Sequence, residues 1–462
     1  MKKQIVVILV AAAVLMALSL SAAIAELERV GPVDPEHGYP MWYQDKTGLT
    51  LEFGAPLNQA ELDGGWLSIA SADVPSGTAP ETFPDNFAGE HFYWTAGCRV
   101  RQGNVDARLI LALEAAFATE EPVPGDQIVF GRIRIRIDDL PFDGTYTVYT
   151  PYGMRVYENQ VAGERLIATE DVGICTFGLF EGALKSGVGP FLLPSNIPGG
   201  PELPPVTGPV PGKLYIADPA RSGPVTGSPL PNYMTSAGVR NPNIFRVEGP
   251  NGFVLETVNF ALTGRIYTDL LPNLIEVDRA SYTQTASLLR LDVFATGLPT
   301  LPSRLPGAPI PSRIMPVLSF YNAPPGVDPV TGDPTAPTGE TEIPMFNAGN
   351  SYWAQSQPLS VPTQVTIKDS NARDATGQLF SLYFGADVTD HIDITQAFYD
   401  PTNGGSLTVT AQSSDEVSLP TLTLEGFGDL TGGQIVITPL AAPPEKVRVL
   451  SSANGSNEME VR

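Results

Sequence analysis

The sequence predicts an all-β protein made of successive β-sandwich domains, with an immunoglobulin-like topology open to the last of them. Three observations lead there. Forty-five Gly and 45 Pro in 462 residues are too many for a helix-rich chain and show no collagen period. They punctuate short runs of Val, Ile, Thr, Leu and Tyr, as turns punctuate strands. Hydrophobic residues make up 42% of the chain, enough for packed cores and too many for wholesale disorder.

The first element is an export signal. Lys2 and Lys3 precede an apolar run from Ile5 to Leu20, and Ala23-Ile24-Ala25 then offers a small-x-small cleavage site before Glu26. Residues 1–25 are therefore expected to be a signal peptide cut after Ala25. Glu26, Leu27 and Glu28 do not form a basic stop-transfer flank, and no later stretch is long and apolar enough to span a bilayer. The expected location is extracytoplasmic, secreted or loosely associated with the cell surface.

The chain carries 27 Lys plus Arg against 50 Asp plus Glu, a formal charge of −23. An acidic surface disfavours nucleic acid as a partner and favours solubility. Two cysteines, Cys98 and Cys175, fall in one proposed domain, and because an oxidising exterior permits it, a disulfide between them is expected over two separately buried thiols. With only His37, His91 and His391, no zinc-ligand spacing is present.

Residues 26–190 read as an N-terminal β-rich domain. After turn-forming residues from Gly31 to Pro40, Met41-Trp42-Tyr43 and Leu49 to Phe53 are β-prone. His91-Phe92-Tyr93-Trp94 is the densest aromatic run. His91, Tyr93 and Trp94 are candidate sugar-binding residues, although the same alternation suits the inward side of a strand. Ala107 to Thr119 is the best helix candidate, yet Leu109, Leu111 and Leu113 also alternate as in a strand. Val129 to Ile137 alternates apolar residues with Arg132, Arg134 and Arg136, which predicts a half-buried strand. Asp143-Gly144 then turns into a return strand, Thr145 to Tyr149. The three arginines either meet an anionic polymer or pair with carboxylates on neighbouring strands.

A Pro/Gly-rich connector over 191–212 reads as a stiff linker or an irregular packed arm. It leads into a second β domain, 213–298. Residues 299–359 form another Pro/Gly-rich irregular segment. Asp328 and Asp333 within it are weak calcium candidates, because their spacing matches no EF-hand and suits a solvated turn. No other cofactor is implied. Residues 360–462 alternate again and predict a C-terminal sandwich. Pro362 to Ser370 echoes Pro444 to Ser452, a sign of modular construction.

No nucleophile elbow, zinc helix or phosphate loop is present. His391, between Asp390 and Asp393, is the one histidine closely surrounded by carboxylates, an arrangement that also suits an ordinary turn. The expected function is a structural or binding role at the cell exterior, with other surface proteins or polysaccharide as partners. The enzymatic alternative is a secreted polysaccharide hydrolase using two carboxylates from distant positions.

Gly31 to Pro35 with Gly38-Tyr39-Pro40, Thr145 to Val148 with Pro151-Tyr152-Gly153, and Phe245 to Pro250 resemble segments of a group of exported bacterial multi-domain β-proteins. The resemblance implies bacterial origin and export. It carries no activity or active-site residue to transfer.

Overall fold

The computed structural model describes residues 26–173 and 178–462. The expected signal peptide, its expected cleavage after Ala25, and Cys175 lie outside the described residues. Among the described residues there is a single short α-helix, Gln59–Asp63, whose Asn58 cap accepts the Glu61 N–H at 2.9 Å. All other long elements are strands, so the chain is all-β and multi-domain. No helix among these residues is long and apolar enough to cross a membrane.

Two compact units divide the chain. The first takes the residues up to Leu270 together with Leu301–Ser312 and Asp374–Gly377; the second takes the remainder.

In the first unit a five-stranded antiparallel sheet runs in the order Ala261–Thr263, Glu90–Gln102, Val105–Phe117, Gln127–Asp138, Leu166–Val172. Val254–Thr257, Phe245–Glu248, Gly144–Thr150 and Gly153–Gln160 make a second sheet. A third joins Leu27–Val30, Trp42–Asp45 and Thr50–Glu52 to Arg265–Ile266, Leu214–Tyr215 and Val206–Thr207. All three sheets close on one core, which includes Tyr43, Leu51, Trp94, Leu111, Ile135, Tyr146, Phe245 and Phe260.

This shared core redraws the expected boundaries. Of the stretch assigned to a second domain at 213–298, Leu214–Tyr215, Phe245–Glu248, Val254–Thr257, Ala261–Thr263 and Arg265–Ile266 join the same sheets as residues 26–190, whereas Leu274–Gln284 and Leu289–Leu298 belong to the second unit. Within 191–212, Phe191, Leu192 and Leu193 are buried in that core, so the proline-rich stretch is a packed arm.

The helix candidate at Ala107 to Thr119 is instead the strand Val105–Phe117. Its pattern misleads because both faces are covered over its second half: Leu111 and Leu113 on one side, Ala112, Glu114 and Ala116 on the other. Val129 to Ile137 is the alternating strand expected. Its neighbour on the far edge, however, is Leu166–Val172. The predicted return strand, Gly144–Thr150, pairs with Gly153–Gln160 and Phe245–Glu248.

The second unit contains two sandwiches. In the first, the sheet Phe346–Ala348, Ser351–Ser356, Leu289–Leu298, Leu274–Gln284, Thr389–Asp390 faces Ile343–Pro344, Leu318–Tyr321, Gln364–Arg373, Leu379–Asp387. Val293, Phe320, Tyr352, Val365 and Ile367 lie between them. The segment 299–359 thus supplies sandwich strands and is not merely irregular. The last sandwich begins at Ile392. Ile392–Asp400, Ser406–Ser413 and Gln434–Ile437 cover Gly428–Asp429, Leu422–Leu424, Lys446–Ser451 and Ser456–Glu460 around Ile394, Val409, Leu424 and Val449. The echoed segments at 362–370 and 444–452 each form a strand, one in each sandwich.

Asp390 sits where these two sandwiches meet. Its carboxylate accepts from the Ser413 hydroxyl at 2.5 Å, the Ser451 hydroxyl at 2.7 Å and the Gly455 N–H at 3.0 Å. Asp415 accepts from Tyr282 Oη at 2.9 Å and from the N–H groups of Val417 and Ser418. These bonds tie the loop ends of one sandwich to strands of the other.

Candidate functional sites

The residues singled out by sequence are not gathered into one site. His91, Tyr93 and Trp94 are all buried. A β-bulge between Phe92 and Trp94 shifts the strand register, so Tyr93 and Trp94 both enter the core although they are consecutive. Tyr93 Oη donates to the Pro40 carbonyl at 2.6 Å, and Trp94 Nε1 donates to the Leu192 carbonyl at 3.3 Å. His91 Nε2 lies 2.6 Å from Glu81 Oε2. These side chains hold the core together and offer no face to a sugar.

The expected disulfide is corrected. Cys98 is a free thiol. It packs in the middle of the Glu90–Gln102 strand opposite Leu109, and burial pushes its pKa well up, which keeps it a protonated, weakly reactive thiol.

At the calcium candidates, Asp328 Oδ1 accepts from the N–H groups of Val330 and Thr331 at 2.8 and 3.1 Å, while the Asp333 carbonyl accepts the Asp328 N–H. The Asp328 carboxylate closes its own turn, and those backbone donors lower its pKa. No group of three His, Cys, Asp or Glu side chains suited to a metal occurs among the described residues.

His391 faces an arginine: its Nδ1 is 3.2 Å from Arg279 Nη1. Asp390, its neighbour in sequence, points into the serine cluster described above and does not orient the imidazole.

The arginine stripe is paired within its sheet. Arg132 meets Glu114 and Asp171, each at 2.8 Å, and Arg136 meets Asp138 at 3.1 Å. Arg134 Nε donates to the Thr169 hydroxyl at 3.3 Å.

Glu114 itself was not visible as a special residue in the sequence. It is buried, and its Oε2 has no hydrogen-bond partner among the described residues. Loss of water raises its pKa to about 7; Arg132 opposes the rise more strongly than Arg134 does, and the charges of Glu90 and Asp171 add to it. The native state therefore binds a proton here, between about pH 4.5 and 7, that the unfolded chain has released. Stability should fall as pH rises through that window, by up to about 3 kcal/mol, with the penalty complete above pH 7. Urea unfolding of Glu114→Gln between pH 5 and 8 should show a flatter profile than the parent; parallel profiles would remove this assignment.

The first unit also carries an open cleft of about 680 Å³. Phe53, Phe83, Phe87 and Met41 give it an apolar floor; Glu52, Glu81, Lys213 and Arg265 approach it from its walls. His37 stacks on Phe53 with centroids 4.5 Å apart. Burial lowers the His37 pKa, with Asp34 opposing. Nδ1 accepts the Tyr39 N–H at 3.2 Å, which leaves the neutral ring's proton on Nε2, 3.7 Å from Asp34.

Behind the cleft lies a buried ion network. Arg265 reaches Glu52 through Nε and Glu61 through Nη1, the latter at 2.7 Å, and donates to the carbonyls of Phe53 and Ala55. Lys213 Nζ takes the other oxygen of Glu52 at 2.8 Å. Glu61 also accepts from Tyr215 Oη at 2.6 Å and from the Leu57 N–H at 2.7 Å. Glu81 gives its second oxygen to the Ala88 N–H. Every oxygen of Glu52, Glu61 and Glu81 is thus already held by the protein.

No family model matches the sequence, and no curated protein matches it either. Among solved structures, the N-terminal four Ig domains of Dscam1 isoform 6.44 align over 80% of this chain and 99% of that chain, at 8% identity and a TM-score of 0.14. A likeness at that level carries no argument about this molecule.

Proposed function

We propose that this chain is an exported structural or binding protein of the cell exterior. The observation that supports the reading is the commitment of Glu52 and Glu81, two of the carboxylates that line the cleft, and of Glu61 behind them. Glycoside hydrolysis needs one carboxyl group able to give up a proton to the leaving oxygen and a second able to attack or to activate water. Glu52 is clamped by a guanidinium and an ammonium group, Glu61 is buried behind it, and Glu81 is bound to His91 and a backbone donor. Such groups build a scaffold. The signal-like leader and the resemblance to exported bacterial β-proteins support the destination.

Expressed in a bacterium, the protein should accumulate outside the cytoplasm with Glu26 as its first residue, as read by N-terminal sequencing of the fractionated product. Incubated with cell-wall and environmental polysaccharides, it should release no reducing sugar. Retention in the cytoplasm with Met1 intact, or turnover abolished by one carboxylate substitution, would overturn the proposal.

A further inference from the structure

The cleft of the first unit is lined by more carboxylates than its own cations answer. Arg265 and Lys213 are the cations that reach it, and both are held by Glu52 and by Glu61 behind it. Glu81 is bound to His91 and to the Ala88 N–H. Asp34, Glu36 and Asp269 line the same cavity. None of these three forms an ion pair with a lysine or arginine among the described residues, and Asp34 meets only His37, at 3.7 Å. Burial favours the neutral form of that imidazole, so it does not answer the charge.

Between these carboxylates the lining is apolar and partly aromatic. Leu57 is 43% exposed, Pro80 is exposed, and Met41, Phe83 and Tyr267 are half-buried. Phe53 and Phe87 lie beneath them with ring planes only 7° apart. Glu36 and Asp269 are exposed, so their charges stand at the mouth of an apolar cavity.

We infer that this cleft binds a small organic cation, an alkyl- or arylammonium whose apolar body lies against the rings and whose charge faces Asp34, Glu36 and Asp269. Charge complementarity selects the class. An anion would be repelled by the unanswered carboxylates, and a neutral ligand would strip water from them without replacing its hydrogen bonds. A bare metal ion gains nothing from an apolar floor, and no group of three metal-ligating side chains occurs among the described residues. An ammonium group gains from both features, since carboxylates pair with it and aromatic faces attract it. A cavity of about 680 Å³ has the size that encloses a small molecule. The inference rests on the binding half of the function proposed above and not on export.

The test uses the chain from Glu26 to Arg462 in isothermal titration calorimetry at neutral pH, with phenethylamine, its neutral counterpart phenethyl alcohol and the anion phenylacetate as probes. Phenethylamine should bind saturably, one per chain, and more weakly as salt is added. The neutral and anionic probes should bind at least about tenfold more weakly. Glu36→Gln with Asp269→Asn should weaken phenethylamine by about tenfold while the melting temperature holds, because both side chains are exposed. Glu425→Gln, a change at an exposed carboxylate of the second unit, should leave binding intact. No saturable binding of phenethylamine, equal binding of either counterpart, or binding indifferent to the double substitution overturns the inference. So does a lysine-rich peptide that binds more tightly than phenethylamine and is lost with the same double substitution, since the cleft would then belong to a protein partner. Failure to bind these probes leaves export untouched, whereas a chain held in the cytoplasm that still binds phenethylamine removes the export reading alone.

Discussion

Replacing Arg265 with methionine should destabilise the first unit by about 3 to 5 kcal/mol, the usual consequence of removing one member of a buried ionic cluster. Methionine fills much of the same volume but leaves Glu61 fully buried beside Tyr215 with its countercharge gone. Glu52 retains only Lys213, and the carbonyls of Phe53 and Ala55 lose their donors. The loss comes from stranding these groups and is not the net worth of the ion pairs. Adding Glu61→Gln to the variant should therefore recover part of it, because a neutral amide tolerates burial better than an unpaired carboxylate. Urea unfolding monitored by circular dichroism gives both values. A cost below about 1 kcal/mol for Arg265→Met would show that water compensates the network.

Trp94→Ala should lower the stability of the same unit by a comparable amount, about 3 to 5 kcal/mol. The indole is fully buried between Tyr152, met edge-on at 6.1 Å, and Phe191 at 5.6 Å, and its Nε1–H satisfies the Leu192 carbonyl. Truncation removes the apolar burial, leaves a cavity the rigid strands cannot close, and orphans that carbonyl. Trp94→Phe should cost clearly less, since it refills most of the space and forfeits chiefly the hydrogen bond. Equal losses for the two variants in thermal unfolding would mean that the hydrogen bond, not packing, dominates at this position.

The contrast between Trp94 and Trp353 shows what the sequence could and could not reveal. The run His91-Phe92-Tyr93-Trp94 draws the eye because its rings are consecutive, and it is inside the protein. Phe294, Phe346 and Trp353 are far apart along the chain and become a row across neighbouring strands of the second unit only through strand register, which depends on long-range pairing. Local pattern identified Gln127–Asp138, where one face is wet and the other dry, since alternation there survives in the residues themselves. It was ambiguous at Val105–Phe117, where both faces of the second half are covered and small residues fill one of them.

Partner choice was equally hidden. Asp143-Gly144 marks a turn correctly, but nothing in Thr145 to Tyr149 says that its neighbour is Phe245–Glu248, about a hundred residues later. Glu52, Glu61 and Arg265 look like ordinary surface charges when read singly. Only folding brings them into one dry cluster. Cys98 illustrates the reverse error, because a shared domain and an expected oxidising compartment only permit a bond, and Cys98 is a free thiol.

The third sheet of the first unit couples residues from opposite ends of a long stretch of polypeptide: Leu51 pairs with Ile266, and Arg304 donates to the Thr47 carbonyl and binds Glu202. A chain emerging N-terminus first cannot complete that sheet until its later strands are available, and loop closure over such separations makes the step slow. Under the proposed export, in which the chain threads a translocation channel before it folds, this delay is useful. The early segments lack the partners that would lock them prematurely, and the seam that finally shuts the unit is also the one that ties its opening residues against fraying.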